Sequence, residues 1–114
     1  MVCASPAGDE RTLLYYDAQE KCLIFDSRES SLEGIGRPAL EKAPFTLETK
    51  DEILNLRVFI DKCVVEIYVN DRQAITRRVF TTRDDSLGVY VFSDGGESEF
   101  KEIIGWEMMP SNPY

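Results

Sequence analysis

The chain has 114 residues and a formal net charge of −8, from 13 Lys and Arg against 21 Asp and Glu, with 43% hydrophobic and 30% charged residues. That length suits one domain with a real core, no apolar run approaches the ~18 residues of a membrane span, and an acidic balance without a basic cluster excludes nucleic acid and anionic membranes as partners. Histidine is absent, which removes His-based acid–base catalysis, Ser-His-Asp and Cys-His pairs, and the commonest transition-metal ligand in one step.

In chain order, residues 1–10 carry no basic stretch followed by an apolar run, so no signal peptide is read there. Cys3, Cys22 and Cys63 form an odd set without C-x-x-C spacing. They predict neither a disulfide framework nor a zinc site, and as reduced thiols they favour a cytoplasmic setting. Residues 12–16 (TLLYY) and 22–26 (CLIFD) flank a polar connection of hairpin length and are expected to pair. Residues 27–44, broken by Gly34, Gly36 and Pro38, read as the long loop, with a short strand at 45–48. Further strands follow at 54–61, 63–69, 73–80, 86–93 and 100–109, and Gly95-Gly96 marks a turn between the last two. No segment sustains a 3.6-residue apolar period. Short strands at 8 to 12 residue spacing predict an all-β, antiparallel two-sheet sandwich.

The alternation also predicts register. A turn at Asp61-Lys62 sets Ile60 opposite Cys63, Val58 opposite Val65, Leu56 opposite Ile67, and Arg57 opposite Glu66. A three-residue loop at Asn70-Asp71-Arg72 sets Ile67 opposite Ile75 and Val65 opposite Arg77. One face then carries Leu56, Val58, Ile60, Val65, Ile67, Val69, Ile75 and Val79, continued by Leu87, Val89 and Val91, and is the expected core. The other carries Arg57, Phe59, Glu66, Tyr68, Thr76, Arg78 and Phe80, with Tyr90 and Phe92 if the alternation runs on.

Aromatic rings beside hydrogen-bonding charges suit a sugar, whose C–H faces stack on rings while its hydroxyls seek carboxylates and guanidinium groups. They equally suit packing on a neighbouring domain. The candidate ligand-binding residues are Phe59, Glu66, Tyr68, Arg78 and Tyr90, for a sugar or a domain interface. Glu66 has no matched second carboxylate such as glycoside hydrolysis requires. Arg57 and Arg78 on its own face predict an ion pair instead. Asp61, Asp71, Asp84, Asp85 and Asp94 read as turn residues, and Trp106, alternating with Ile104 and Met108, reads as core or interface. No catalytic residue, metal site or cofactor is assigned.

Leu56, Val58, Phe59, Ile60, Asp61, then Val65, Glu66, Ile67, Tyr68, Val69, Asn70, Asp71, then Thr76, Arg78 and Phe80 follow a known pattern. It is that of the C-terminal β-sandwich module of glycoside hydrolase family 32, the invertases, levanases, inulinases and other fructosidases, which this segment resembles. The hairpin of residues 10–31 and the stretch 86–108 are similar to other parts of that module. The resemblance implies a concanavalin-like jelly roll. It also implies a left-handed third loop position, normally Gly, where Arg72 stands at a cost of about 1 kcal/mol. The family's catalytic motifs (Trp-Met-Asn-Asp-Pro-Asn-Gly, Arg-Asp-Pro and Glu-Cys) do not occur in the chain.

The resemblance therefore implies a non-catalytic module whose partner is a catalytic propeller, on a chain that starts inside the module. A sandwich without its first strands exposes sheet edges, so a homodimer with a second copy is the other expected partnership. A free-standing lectin-like module that binds carbohydrate, and an autonomous enzyme, are the alternative readings.

Overall fold

A computed structural model describes residues 1–49, 51–93 and 102–106. It contains six strands, β1 (Leu13–Asp17), β2 (Cys22–Asp26), β3 (Leu40–Pro44), β4 (Leu56–Asp61), β5 (Val64–Val69) and β6 (Gln73–Arg78). They make two antiparallel three-stranded sheets, ordered β1-β2-β3 and β4-β5-β6, and no helix occurs among the described residues. The all-β, two-sheet architecture is the one the alternation predicts. Between the sheets lies one apolar cluster: Val2, Leu14, Leu23, Phe25 and Phe45 meet Val65, Ile67, Val69, Ile75 and Val79. Each such side chain, taken fully out of water, stabilises the fold by about 1.5–3 kcal/mol.

Local chemistry explains the hairpins. At the β1–β2 connection the Asp17 carboxylate accepts the backbone N–H groups of Gln19 at 2.9 Å and Glu20 at 3.0 Å, an Asx turn that reverses the chain. Between β5 and β6 the Arg72 N–H donates to the Val69 carbonyl at 3.0 Å, with Asn70 (φ 48°) and Asp71 (φ 54°) in the left-handed region. Asn and Asp are the non-glycine residues that tolerate this conformation best. The expected pairs Ile67 with Ile75 and Val65 with Arg77 are present. The left-handed positions are Asn70 and Asp71, and not Arg72, so the expected strain at Arg72 does not arise.

Other expectations need correction. The β4–β5 loop is Lys62-Cys63, two residues on in register, so that Ile60 stands opposite Val65, Val58 opposite Ile67, Leu56 opposite Val69 and Phe59 opposite Glu66. The shift adds an Asn clasp: Asn70 N–H donates to the Asn55 carbonyl at 2.9 Å, and Asn55 N–H to the Asn70 side chain at 2.6 Å. Because side chains alternate with period two, a two-residue slip leaves every residue on its expected face. The third strand lies at Leu40–Pro44, inside the expected loop, and not at 45–48; pairing with β2 places it, for LEKAP has little strand preference of its own. Phe45 follows it as a buried side chain, edge-on to Tyr16 at 5.7 Å.

Two parts of the expected core face are uncovered. Leu56, Val58 and Ile60 point to the core side yet are 38, 38 and 44% exposed, since nothing in the first sheet reaches over β4. Residues 86–93 form no regular strand; their backbone bridges at Gly88 to Ala4 and at Tyr90 to Met1. That leaves Leu87 82% exposed, with Val89 and Val91 also in solvent. Trp106 is 79% exposed and Ile104 is also exposed, so neither is core. Residues Asp94, Gly95, Gly96 and Met108, and the ends of the expected strand 100–109, lie outside the described residues.

One end of the sandwich is closed by a carboxylate. Glu10 is fully buried, and its Oε2 accepts the N–H of Leu32 at 2.8 Å, the N–H of Thr82 at 2.8 Å and the Thr82 hydroxyl. Its Oε1 accepts the Arg83 N–H at 3.0 Å and the Ser86 hydroxyl at 2.7 Å. Burial alone would raise its pKa, but the donors from Thr82, Leu32 and Arg83 outweigh burial and bring it down to about 2. A depressed carboxyl adds stability that is complete above its ordinary pKa of 4.5 and is lost as pH falls through about 2. Glu10→Gln, which sets an amide against backbone donors, is expected to cost about 3 kcal/mol at neutral pH by urea unfolding. The gap between wild type and variant should shrink steadily below about pH 4.5; a gap that stays constant down to about pH 2.5 would show that Glu10 is not the ionised fastener.

Candidate functional site

The outward face of the second sheet carries three cross-strand rows: Arg57, Tyr68 and Ala74; Phe59, Glu66 and Thr76; and Asp61, Val64 and Arg78. Strand alternation puts them there because Val65, Ile67, Val69 and Ile75 take the core side. Phe59 and Tyr68 meet edge to face, with ring centroids 5.8 Å apart at 84°. The Tyr68 hydroxyl donates to Glu66 Oε2 at 3.1 Å. That hydrogen bond, followed by the carboxylate's charge and then burial, pushes the Tyr68 phenol above its ordinary pKa.

Of the five candidate residues, this face brings Phe59, Glu66 and Tyr68 into one cluster, with Arg78 on the same face at the far strand. Tyr90 stands apart, on the segment whose backbone exchanges two hydrogen bonds with Met1. The expected ion pairs of Glu66 are not formed: the register sets Arg57 opposite Tyr68, and its guanidinium goes to Asp71 at 2.5 Å. Arg78 has no ion pair among the described residues. Phe80 leaves the face to pack on Gly36, where a Cβ would come within 2.7 Å of the ring. The arrangement is an aromatic surface of mixed charge, with the Glu66 carboxylate committed to a phenol, and it offers rings, acceptors and guanidinium groups to a sugar or to another protein surface.

A second polar feature lies where β2 runs into the Ser-rich segment Asp26-Ser27-Arg28-Glu29-Ser30-Ser31, which resembles a loop segment of the family 32 module and carries no evident chemistry in the sequence. An open pocket of about 540 Å³ is lined by Arg11, Leu13, Asp26, Arg28 and Glu29. Arg28 grips Asp26 with Nε at 2.9 Å and Nη2 at 2.8 Å, and that contact foremost holds Asp26 below the usual carboxylate range. Arg11 pairs with Glu29 at 2.5 Å. The spacing of Asp26 and Arg28 was a visible local signal; the approach of Arg11 was not, because it depends on the β1–β2 pairing. Its charged lining residues are matched two by two, Arg11 with Glu29 and Arg28 with Asp26, and among the described residues no three His, Cys, Asp or Glu side chains gather to hold a metal. Removing the Glu66 charge should lower the Tyr68 pKa: in Glu66→Gln the phenol, followed by its ring resonances in NMR, is expected to titrate at lower pH than in the wild type. An unshifted titration would mean that the bond is absent in solution.

The family described as "Glycosyl hydrolases family 32 C terminal" matches residues 1–107. Among characterised proteins the chain is similar to a sucrose-6-phosphate hydrolase of Zymomonas mobilis, 28% identical over 108 residues that cover 90% of this chain and 20% of that protein. It is also similar to a levanbiose-producing levanase of Bacillus subtilis, 27% identical over 62 residues that cover 54% of this chain and 12% of the levanase. The chain thus spans a fifth or less of the length of these relatives. No solved structure matches it at comparable significance. With nearly its whole length matched and the two-sheet fold in place, the chain belongs to the C-terminal domain family of the family 32 glycosyl hydrolases.

Proposed function

We propose that these residues form one sandwich domain, the non-catalytic C-terminal module of a β-fructosidase-type enzyme, which stabilises or orients a catalytic propeller and turns over nothing by itself. The observation that carries this reading is the match of residues 1–107 to a family of C-terminal domains. The sequence supports it, since none of the catalytic motifs of family 32 occurs in the 114 residues. The named relatives, a sucrose-6-phosphate hydrolase and a levanase, point to sucrose-like or fructan substrates for the enzyme the module serves.

The second sheet supports a docking role. Interfaces between domains of one protein typically bury about 600–1,500 Å² and are more polar than permanent ones. The Phe59, Tyr68 and Glu66 cluster, with exposed Arg57 and Arg78 around it, has that mixed character.

The purified chain is expected to release no fructose from sucrose, levan or inulin, and to give no saturable heat when titrated with sucrose and oligomers of these fructans. Fructose release would assign turnover to the chain and overturn the reading. Saturable heat that disappears in Tyr68→Ala would overturn it in favour of a lectin-like carbohydrate-binding module.

A further inference from the structure

We infer that the chain self-associates through β4, which pairs antiparallel with β4 of a second copy about a two-fold axis at Phe59. This goes beyond the modular role above and does not depend on it. β4 ends its sheet, with β5 its one neighbour among the described residues. Exposed sheet edges are normally guarded by Pro, Lys or a covering segment. β3 carries Lys42 and Pro44, and β6 is tied to β3 through Arg77 and Glu41. β4, LRVFID, contains neither Lys nor Pro.

Its hydrogen-bonding groups are set for a partner. Asn70 N–H bonds to the Asn55 carbonyl, and by the alternation of an antiparallel ladder Arg57, Phe59 and Asp61 direct their backbone groups to β5. The N–H and C=O groups of Val58 and Ile60 then point out of the sheet. Centring the pair on Phe59 sets Val58 opposite Ile60 of the partner subunit and Ile60 opposite Val58 of the partner subunit, so that these groups bond to one another.

Charge selects that register. On the outward face, Arg57 stands opposite the partner subunit's Asp61 and Asp61 opposite the partner subunit's Arg57, with the two Phe59 rings across the axis. Asp61 has no side-chain partner among the described residues, and Arg57 is held by an exposed carboxylate at the hairpin tip, Asp71. A slip of one residue turns apolar side chains to the wrong face. A centre at Val58 sets Arg57 against Phe59, and a centre at Ile60 sets Asp61 against Phe59, so neither matches unlike charges. On the inner side the same pairing extends the half-exposed row of Leu56, Val58 and Ile60 into one apolar strip across two copies.

Size-exclusion chromatography with light scattering on the purified chain, over a dilution series, tests this. The wild type is expected to be a dimer at tens of micromolar. Arg57→Asp alone, or Asp61→Arg alone, sets like charges opposite one another twice and should weaken association roughly tenfold or more. The double reversal restores unlike pairs and should recover the dimer. With Cys3, Cys22 and Cys63 replaced by Ser, Phe59→Cys should form an intermolecular disulfide on mild oxidation, since opposed residues at such an axis have Cα atoms within disulfide range. A wild-type monomer at every concentration would mean that the edge is covered by another part of the chain or another partner, and would overturn the proposal. So would a dimer indifferent to both single reversals, or one that the double reversal fails to restore.

Discussion

The buried carboxylate of Glu10 ties together three stretches that are remote in sequence. Its own segment, the loop at Leu32 and the chain at Thr82, Arg83 and Ser86 all end on its two oxygens. An unpaired buried charge is among the most destabilising features a fold can contain, so the charge holds only if all the donors arrive together. The converse also applies: the N–H groups of Leu32, Thr82 and Arg83 need that acceptor. The consequence is cooperative, since the long loop after β2 and the exit from β6 are ordered by one group. Arg83 adds a polar rim, reaching Asp85 at 2.7 Å and Asp9 at 3.4 Å.

Elsewhere on the molecule Arg72 does related work for the strands. Its guanidinium lies 4.7 Å above the Phe45 ring, donates to the Thr46 carbonyl at 2.9 Å and bonds to Glu52 at 2.5 and 3.0 Å. The Arg72 contact is the main reason that the Glu52 carboxyl is held down to about 2. A residue at the tip of the β5–β6 hairpin is thereby fastened to the chain that leaves β3, and so one sheet is fastened to the other. At this position a Gly would supply backbone freedom and nothing else. With Asn70 and Asp71 taking the left-handed conformation, the position is free for a long side chain that crosses between layers.

What the sequence made legible was face, and what it left open was cover. Val65, Ile67, Val69 and Ile75 alternate cleanly, and period two places them inward whether the hairpin closes at Asp61-Lys62 or at Lys62-Cys63. Leu56, Val58 and Ile60 alternate just as cleanly, yet whether they are buried depends on what stands in front of them, which no local pattern encodes. Residues 86–93 show the same limit, since their backbone is claimed by residues 1–4. β3 was hidden for the opposite reason, because its pairing comes from β2 and not from its own composition. Of the candidate residues, Phe59, Glu66 and Tyr68 were placed together by alternation alone, whereas the partner of Glu66 required the register. Glu10 gave no local sign of its role, for four of its five side-chain donors lie at residues 82–86, more than 70 positions away.

The two uses read for the second sheet do not compete for the same groups. A domain docked on the outward face would contact side chains that stand perpendicular to the sheet, such as Tyr68 and Glu66, whose backbones are already paired on both sides within β5. A second copy at the edge would use the outward backbone of Val58 and Ile60 and lie in the plane of the sheet. Phe59 belongs to both, since its ring leans on Tyr68 and also sits at the axis where the strands would cross. Edge pairing would set the two aromatic clusters side by side as one continuous surface. Whatever occupies that face would then meet two copies at once, and association of the sandwich would raise the local concentration of its docking faces without any change in their chemistry.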